Sequence, residues 1–562
     1  MNRTNRKTVL AASGCLLALL ATGCGSSSTP HPAQSAAPPI GAQGINAQPV
    51  SALKQGGSLR LPITEWISQY NYYQTDGTNG DGASILEQVE PDLFLLDSQG
   101  VPHADPNFLV SAAVTSTSPE VVTYSLNPLA KWSDGKPLSY LDFKQIWQDD
   151  NGSNPAYLLS GSTGYDQISS VTQGADAHQV KVTFSKPYSD WQNLFNPLLP
   201  ADQMDTPDKF NKGWLEKVPV TAAAFKIGSL DKTTQTITVV PDPNWWGPRP
   251  KLDSVIYRVL DASSLTDAFL NNEIDETSAS NPADYQRLVK SSATSIRTGS
   301  RWDEVHITLN GARGPLADLA VRHAVEKAVN RPALVAAYGK DLPSRLTLLN
   351  NHFYMPNQKG YQDNSGTWGV FDQAAAKKLL DDAGWKDNGP GNPRTKDGQS
   401  LQLTYVVNSG GAEALVNQAI LVQSMLGQIG IKVSVQKVPQ NDYFEKYINV
   451  GSFDLTAFRF TDAVFTSQQT PVFQQPQGSN VFSNYGRIGS ADIDALLFKA
   501  GQSSDPQQAI TLYNQADAKI WELGHSIELF QRPEIVADRT GLANWGASGF
   551  ASVNWTTVGW QK

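Results

Sequence analysis

The chain has two cysteines in 562 residues, Cys15 and Cys24, and both stand within the first 24 positions. Everything after Cys24 lacks a thiol, which excludes a disulfide framework, Cys-ligated zinc and a cysteine nucleophile from the body of the protein. Stability there must come from packing. Basic clusters are missing as well. Charged residues make up 17% of the chain, they are scattered, and the formal net charge is −9. Nucleic-acid partners need a basic stripe that displaces counterions, so the composition argues against that class. The phosphate loop G-x-x-x-x-G-K-[ST], the zinc helix H-E-x-x-H and the nucleophile elbow G-x-S-x-G are all absent. Gly161-Ser162-Thr163-Gly164 and Gly546-Ala547-Ser548-Gly549 fall one residue short of the elbow and read as turns. The seven histidines are His31, His103, His178, His306, His323, His352 and His525, and no two are spaced as a local ligand pair. No metal and no cofactor is expected.

What is present begins with a targeting segment. Arg3, Arg6 and Lys7 precede an apolar run over residues 9–21, and Ala21-Thr22-Gly23-Cys24 closes it with small residues. That is the build of a secretory signal, too short and too asymmetric to span a bilayer. The closing tetrapeptide resembles a bacterial lipobox, which implies cleavage after residue 23 and lipidation of Cys24. An ordinary signal with nearby cleavage is the other reading. Residues 25–50 contain no Lys, Arg, Asp or Glu and are rich in Ser, Pro, Ala and Gln. Such a segment buries no core, so residues 24–54 read as a flexible tether with a reach of roughly 30 Å. No other hydrophobic run is long enough to cross a membrane either. The expected location is extracytoplasmic, at the cell membrane, held by lipidated Cys24.

The length allows three or four domains or lobes on a prior of roughly 150 residues each. The first 300 residues are strand-rich, with strands predicted over 58–63, 121–126, 180–184 and 236–240 and a permissive loop over 77–82. The later part changes to α/β. Val321, Ala324, Val325 and Ala328 recur at helical spacing, and Asn330 with Pro332 starts another helix. Asp372 caps a helix over 373–383 that Gly384 stops. A buried strand over 401–407, a helix over 412–429 and an alternating strand over 431–438 make a βαβ unit with parallel pairing. Two unequal lobes follow from this pattern, and a ligand is expected in the cleft between them.

Three segments carry a family likeness. VTYSLNPLAKWSDGKPLSYLDF (122–143), Asn244-Trp245-Trp246-Gly247 with Pro250-Lys251-Leu252-Asp253, and Leu309-Asn310 followed by Leu319-Ala320-Val321-Arg322-His323-Ala324 resemble the signatures of the family 5 extracellular solute-binding proteins. Within that family the whole resembles the oligopeptide-binding lipoproteins of actinobacterial ABC importers. The resemblance implies an α/β, periplasmic-binding-protein-like fold of cluster C type: two hinged lobes, an inserted subdomain and mixed sheets. Mapped onto this chain, lobe Ia takes 55–82, 218–304 and 528–562, lobe Ib takes 83–217, and lobe II takes 305–527. It also implies a monomer that is not an enzyme, captures oligopeptides and delivers them to membrane permease subunits.

The family's peptide binders hold the ligand's α-ammonium with an aspartate at a strand end, and pair the same strand's backbone with the peptide. Phe453 to Asp462 occupies that place, with Asp462 matching the aspartate and Arg459, Phe460 and Thr461 preceding it. Arg459 and Phe460 depart from the usual Gly-Trp. Arg459 reads either as a partner for a ligand carboxylate or as half of an ion pair with a neighbour, and Asp462 either as the ammonium partner or as a strand-end group bonding local amides. Trp302 is expected to line an apolar pocket. The loop Asp76-Gly77-Thr78-Asn79 is too poor in carboxylates for calcium, and is either a surface turn or a bare backbone that a ligand approaches closely. An oligosaccharide or a nickel chelate is a second possible ligand class, the former favoured by 14 tryptophans. An extracellular hydrolase using distant carboxylates is a third reading, and signalling or adhesion without transport a fourth.

Overall fold

A computed structural model describes residues 41–409, 413–460, 464–478 and 480–562. The signal segment, Cys24, the tether up to residue 40, Thr461 and Asp462 lie outside the described residues. A four-stranded sheet orders Ser58–Ile63, Ser254–Val259, Thr236–Pro241 and Phe225–Asp231, its first pair parallel and the others antiparallel. A second, antiparallel sheet runs Leu109–Thr117, Glu120–Leu126, Gln179–Phe184 and Ile168–Gln173. Alternation explains both. In Glu120–Leu126 the residues Val122, Tyr124 and Leu126 turn inward, and one continuous core joins them to Leu59, Val255 and Trp545.

The turn after Glu120–Leu126 shows how local chemistry sets local structure. Gly135 takes φ +92° and Trp132 N–H donates to the Lys136 carbonyl at 2.8 Å. Ser139 and Asp142 then form a capping box that starts the helix Tyr140–Asp150, satisfying end amides that no helical carbonyl reaches.

A six-stranded sheet orders Glu276–Ser278, Ser526–Arg539, Thr294–Leu309, Leu455–Thr456, Gln402–Asn408 and Lys432–Val438. The parallel pairing of Gln402–Asn408 with Lys432–Val438 around the helix Glu413–Gly427 is the predicted βαβ unit. Leu403, Tyr405, Val406 and Val407 are buried, as a parallel strand covered on both faces requires. The spine of this sheet is the long antiparallel pair Thr294–Leu309 and Ser526–Arg539, whose register breaks between Ser300 and Glu304 and again between Val305 and His306. Val305, Ile307, Leu529 and Phe530 belong to a second large core, whereas Ile535 and Ala537 pack against Phe269 and Leu288. The boundaries expected at 304/305 and 527/528 thus fall inside continuous strands.

Two local expectations are corrected. The tether does not extend to residue 54: Gly44–Ile45 pairs antiparallel with Gly546–Ala547, Asn46 N–H donates to the Trp545 carbonyl at 3.1 Å, and Leu53 is buried. An uncharged Gly, Asn and Gln segment supplies free backbone and amide groups that complete a sheet edge. The loop over 77–82 is half helix, because Asn79 caps Gly80–Val89 by accepting from Gly82 N–H at 2.6 Å.

Candidate functional site

A cleft of about 750 Å³ opens between the first core and a smaller cluster around Phe473, Ile493 and Leu497. Tyr72, Thr78, Tyr165 and Asn196 line one wall, and Ser467, Thr470, Phe498 and Gln502 the other. Side chains from both walls meet along one edge. Ser467 N–H donates to Asp190 Oδ2 at 2.8 Å, its hydroxyl lies 3.3 Å from Tyr188 Oη, and Ser189 N–H donates to the Gly501 carbonyl at 2.9 Å. Ser504 Oγ bonds the Glu120 carboxylate on the same edge. Burial pushes the Asp190 carboxyl up while its bonds to Ser467 pull it down. The volume lies within the range of about 300–1,000 Å³ usual for small-molecule sites. Its polar lining of hydroxyls, amides and tyrosines suits a ligand rich in hydrogen-bonding groups.

Beside the cleft is a small enclosed polar pocket. Residues 467–473 form the partition: Ser467, Gln468, Thr470 and Pro471 line the cleft, whereas Gln469, Val472 and Phe473 line the pocket. The pocket floor is the long strand pair, which contributes Glu304, His306, Thr308, Ser526 and Glu528. Period-two alternation puts Glu304, His306 and Thr308 on one face. His306 Nδ1 lies 2.8 Å from Glu304 Oε1, and His306 Nε2 lies 2.8 Å from Thr308 Oγ1. His352 Nδ1 sits 2.6 Å from Asp517 Oδ1 and its Nε2 sits 3.6 Å from Glu528 Oε1.

Burial raises Glu304, and it raises Glu528 with help from the Glu304 charge. It lowers His306 to about 4, and with the His352 charge it lowers His525. For His352 burial is outweighed by Asp517 and Glu528, so its net shift is upward. The sign of the pH dependence follows. Carboxyls raised above their unfolded values hold protons that the unfolded chain releases, so their stabilisation is complete below about pH 4.5 and fades as pH climbs through the folded values, about 7 for Glu528 and about 8 for Glu304. His306, which is lowered, acts in the opposite direction, but only below about pH 6.5. The thermal midpoint is therefore expected to fall between about pH 6.5 and 8.5, and the double substitution Glu304→Gln, Glu528→Gln to make that fall shallower. Melting curves at stepped pH check it; equal slopes for the two proteins would remove this pair from the account.

The structure places the residues singled out from the sequence unevenly. Phe460 lines the enclosed pocket, stacked on His306 with centroids 5.0 Å apart. Its backbone is clamped by Glu304, whose N–H donates to the Phe460 carbonyl and whose Oε1 accepts from Phe460 N–H, both at 3.2 Å. Arg459 makes an ion pair, with Nη1 3.3 Å from Asp303 Oδ2, an oxygen that also accepts from Arg532 Nη1 at 2.6 Å. In the loop, Thr78 lines the cleft and donates its hydroxyl to the Tyr72 carbonyl at 3.0 Å. Asp76 is exposed and folds back onto Gln74. Gly77 lies buried under the Asn71 carbonyl, where an added Cβ would collide, so the close approach is to the chain's own backbone.

Trp302 lines neither cavity: it stacks on Phe550 with centroids 3.6 Å apart and lies against Gly100. It stands within the register break between Ser300 and Glu304 and packs in the small cluster of Leu349, Met355 and Phe550. The residues that sequence reasoning missed, Tyr165, Tyr188, Glu304, His306, His352 and Glu528, carry no local motif; the fold assembles them from five separate segments. Period-two polarity at Glu304, His306 and Thr308 within an apolar strand is the one readable signal. Among the described residues, no group of three or more His, Cys, Asp or Glu could hold a metal ion, and no helix is long and apolar enough to cross a membrane.

Comparison with known proteins gives concordant results. The model for "Bacterial extracellular solute-binding proteins, family 5 Middle" matches residues 105–479. The chain is 37% identical over 558 residues to the oligopeptide-binding protein OppA of Mycobacterium tuberculosis, a match covering 97% of this chain and 93% of that one. Among solved structures, a periplasmic EDTA-binding protein EppA superposes with a TM-score of 0.81 at 24% identity, covering 92% of this chain and 98% of that one. The oligopeptide-binding protein AppA of Bacillus subtilis, in complex with a nonapeptide, superposes with a TM-score of 0.69 at 21% identity, covering 91% and 100%. These likenesses establish a periplasmic-binding-protein-like α/β fold.

Proposed function

Because the chain belongs to the family 5 bacterial extracellular solute-binding proteins and is therefore a binding protein rather than an enzyme, we propose that it captures oligopeptides outside the cell and delivers them to an ABC permease. The observation that carries this reading is the 37% identity to a protein named for oligopeptide binding, sustained over 97% of the chain. The cleft supports it, with a volume of about 750 Å³ and a lining of hydroxyls and amides. In this reading the backbone of the segment leading to Asp462 pairs with an extended peptide as an added strand, Phe460 excepted because its N–H and carbonyl are already bonded to Glu304, and such pairing binds main chain without reading side chains. Asp462 holds the α-ammonium, and Thr461, Phe460 and Thr78 complete the surroundings. The two halves swing about the long strand pair near its register breaks, and ligand contacts made only when the halves meet shift the population toward closure. Lipidated Cys24 keeps the protein at the membrane.

Gentle purification followed by native mass spectrometry tests the ligand class. The expected result is a retained set of peptides released on unfolding. An oligosaccharide or a metal chelate in their place would transfer the same fold to another solute.

A further inference from the structure

A third cavity, of about 270 Å³, shares no lining residue with the cleft. It is lined by four acids, Glu87, Glu90, Asp92 and Asp105, and by the indoles of Trp245 and Trp555. No Lys, Arg or His is among its described lining residues. Two of the acids stand where physics favours the opposite sign. The helix Gly80–Val89 ends here, and a helix C-terminus carries partial negative charge that is ordinarily met by basic side chains. Its last turn has no basic residue; Glu87 stands in that turn and Glu90 is the C-cap.

Two of these carboxyls have identified partners. Glu87 Oε1 accepts from Trp555 Nε1 at 3.0 Å, and Asp105 Oδ1 accepts from Asn107 N–H at 2.9 Å and from its Nδ2 at 2.8 Å. Glu90 is different. It is 1% exposed, and neither of its carboxylate oxygens has a hydrogen-bond partner. A buried carboxylate with no partner costs several kcal/mol, so it either keeps its proton or meets a cation.

We propose that this cavity is a binding site for a small organic cation, an alkyl amine or a guanidinium, separate from the peptide cleft. The volume is too large for a bare metal ion, and no group of described residues is arranged to hold one. Indole faces attract ammonium and guanidinium groups, and a flexible amine can reach several scattered carboxylates at once.

The protonation of the acids supports the reading. Burial, reinforced by the Asp92 charge, pushes Glu87 up to about 8 and raises Glu90 as well. Burial and Asp105 push Asp92 to about 7, and burial raises Asp105. The titratable neighbours facing the cluster are Tyr72 and Tyr73 beside Asp92 and Tyr257 beside Glu87; all three are raised by burial and so stay neutral. An arriving cation favours the ionised acids and must displace their protons. Binding is therefore expected to release protons and to tighten as pH rises through about 7–8.

Titration calorimetry of the full mature chain with spermidine and with agmatine tests the proposal, with calcium and 1,4-butanediol as controls. The expected result is one saturable site for at least one of the two amines, about tenfold tighter near pH 8 than near pH 6.5, with an apparent heat that changes with the ionisation enthalpy of the buffer. Glu90→Gln should weaken it by about tenfold or more, and a peptide filling the cleft should leave it unchanged. Absence of saturable amine binding near pH 8, equal affinity in a folded Glu90→Gln protein, displacement by a cleft peptide, or calcium binding alone would each overturn it. Should Glu90→Gln fail to fold, the wild-type protein decides: amine binding with no proton release would refute the site.

Discussion

Arg331→Met is expected to destabilise the second core by about 3–5 kcal/mol, the cost of breaking a buried, fully bonded charge. Arg331 is 2% exposed and its guanidinium ties together three parts of the chain. Its Nε donates to the Glu528 carbonyl at 2.6 Å, Nη1 to the Gly369 carbonyl at 3.1 Å, and Nη2 to Asn350 Oδ1 at 2.8 Å and to the Leu349 carbonyl. The plane of the group lies over Trp521, 5.2 Å from the ring centroid. Methionine fills much of the volume and offers no donor, so the Glu528 and Leu349 carbonyls would lose a buried partner, each at about 1–3 kcal/mol. Burial lowers the pKa of this arginine. The charge nonetheless persists, because an arginine remains protonated in proteins. Lysine at the same site keeps charge but loses the planar fork, and should fall between the two. Urea unfolding followed by tryptophan fluorescence measures the difference. A shift in stability below about 1 kcal/mol would mean that these bonds are replaced by water or by repacking.

That network also shows why only part of the molecule is legible in its residues. Signals that act within a few positions are reliable. Asp372 caps the helix Gln373–Asp382 by accepting from Ala375 N–H at 2.9 Å, and the alternation in Lys432–Val438 marks a true strand. Where the outcome depends on a distant partner, local composition misleads. Residues 44–53 look like linker because they lack charge, yet the backbone groups of Gly44 and Ile45 pair with Gly546–Ala547, about 500 positions away. The division expected at residue 304 follows a change in the pattern of predicted elements, and the backbone there runs on as a single strand paired with Ser526–Arg539. The chemistry of Trp302 suits a pocket wall, but its orientation is decided by a register break that no residue pattern announces. The polar pocket has the same origin: His352 and Glu528 are 176 positions apart in sequence and 3.6 Å apart in space.

The largest functional effect is expected for Asp462→Asn, measured with two peptides that differ only in whether the α-amino group is free or acetylated. The strand leading toward this position is held unusually firmly. Leu455–Thr456 lies between Thr294–Leu309 and Gln402–Asn408, and Thr456 Oγ1 donates to the Val406 carbonyl at 3.0 Å. Phe458 is buried beside His306, with ring centroids 4.8 Å apart, and Glu304 clamps both backbone groups of Phe460. Backbone held up to residue 460 has already given up its conformational entropy, so less is left to lose when the adjoining position is ordered by a ligand. A charge-assisted bond between the Asp462 carboxylate and an α-ammonium is worth about 1.5–3 kcal/mol, so the neutral, isosteric asparagine should weaken a free-amine peptide by about 10- to 100-fold. The N-acetylated peptide has no ammonium to lose, and its affinity should change by less than about threefold. The competing role, a carboxylate that bonds amides of its own strand end, predicts equal losses for both peptides and a lower melting temperature. Calorimetry on the two peptides with each protein, read beside their melting curves, separates the two: a preserved ratio of affinities sinks the ammonium role, and a collapsed ratio at unchanged stability establishes it.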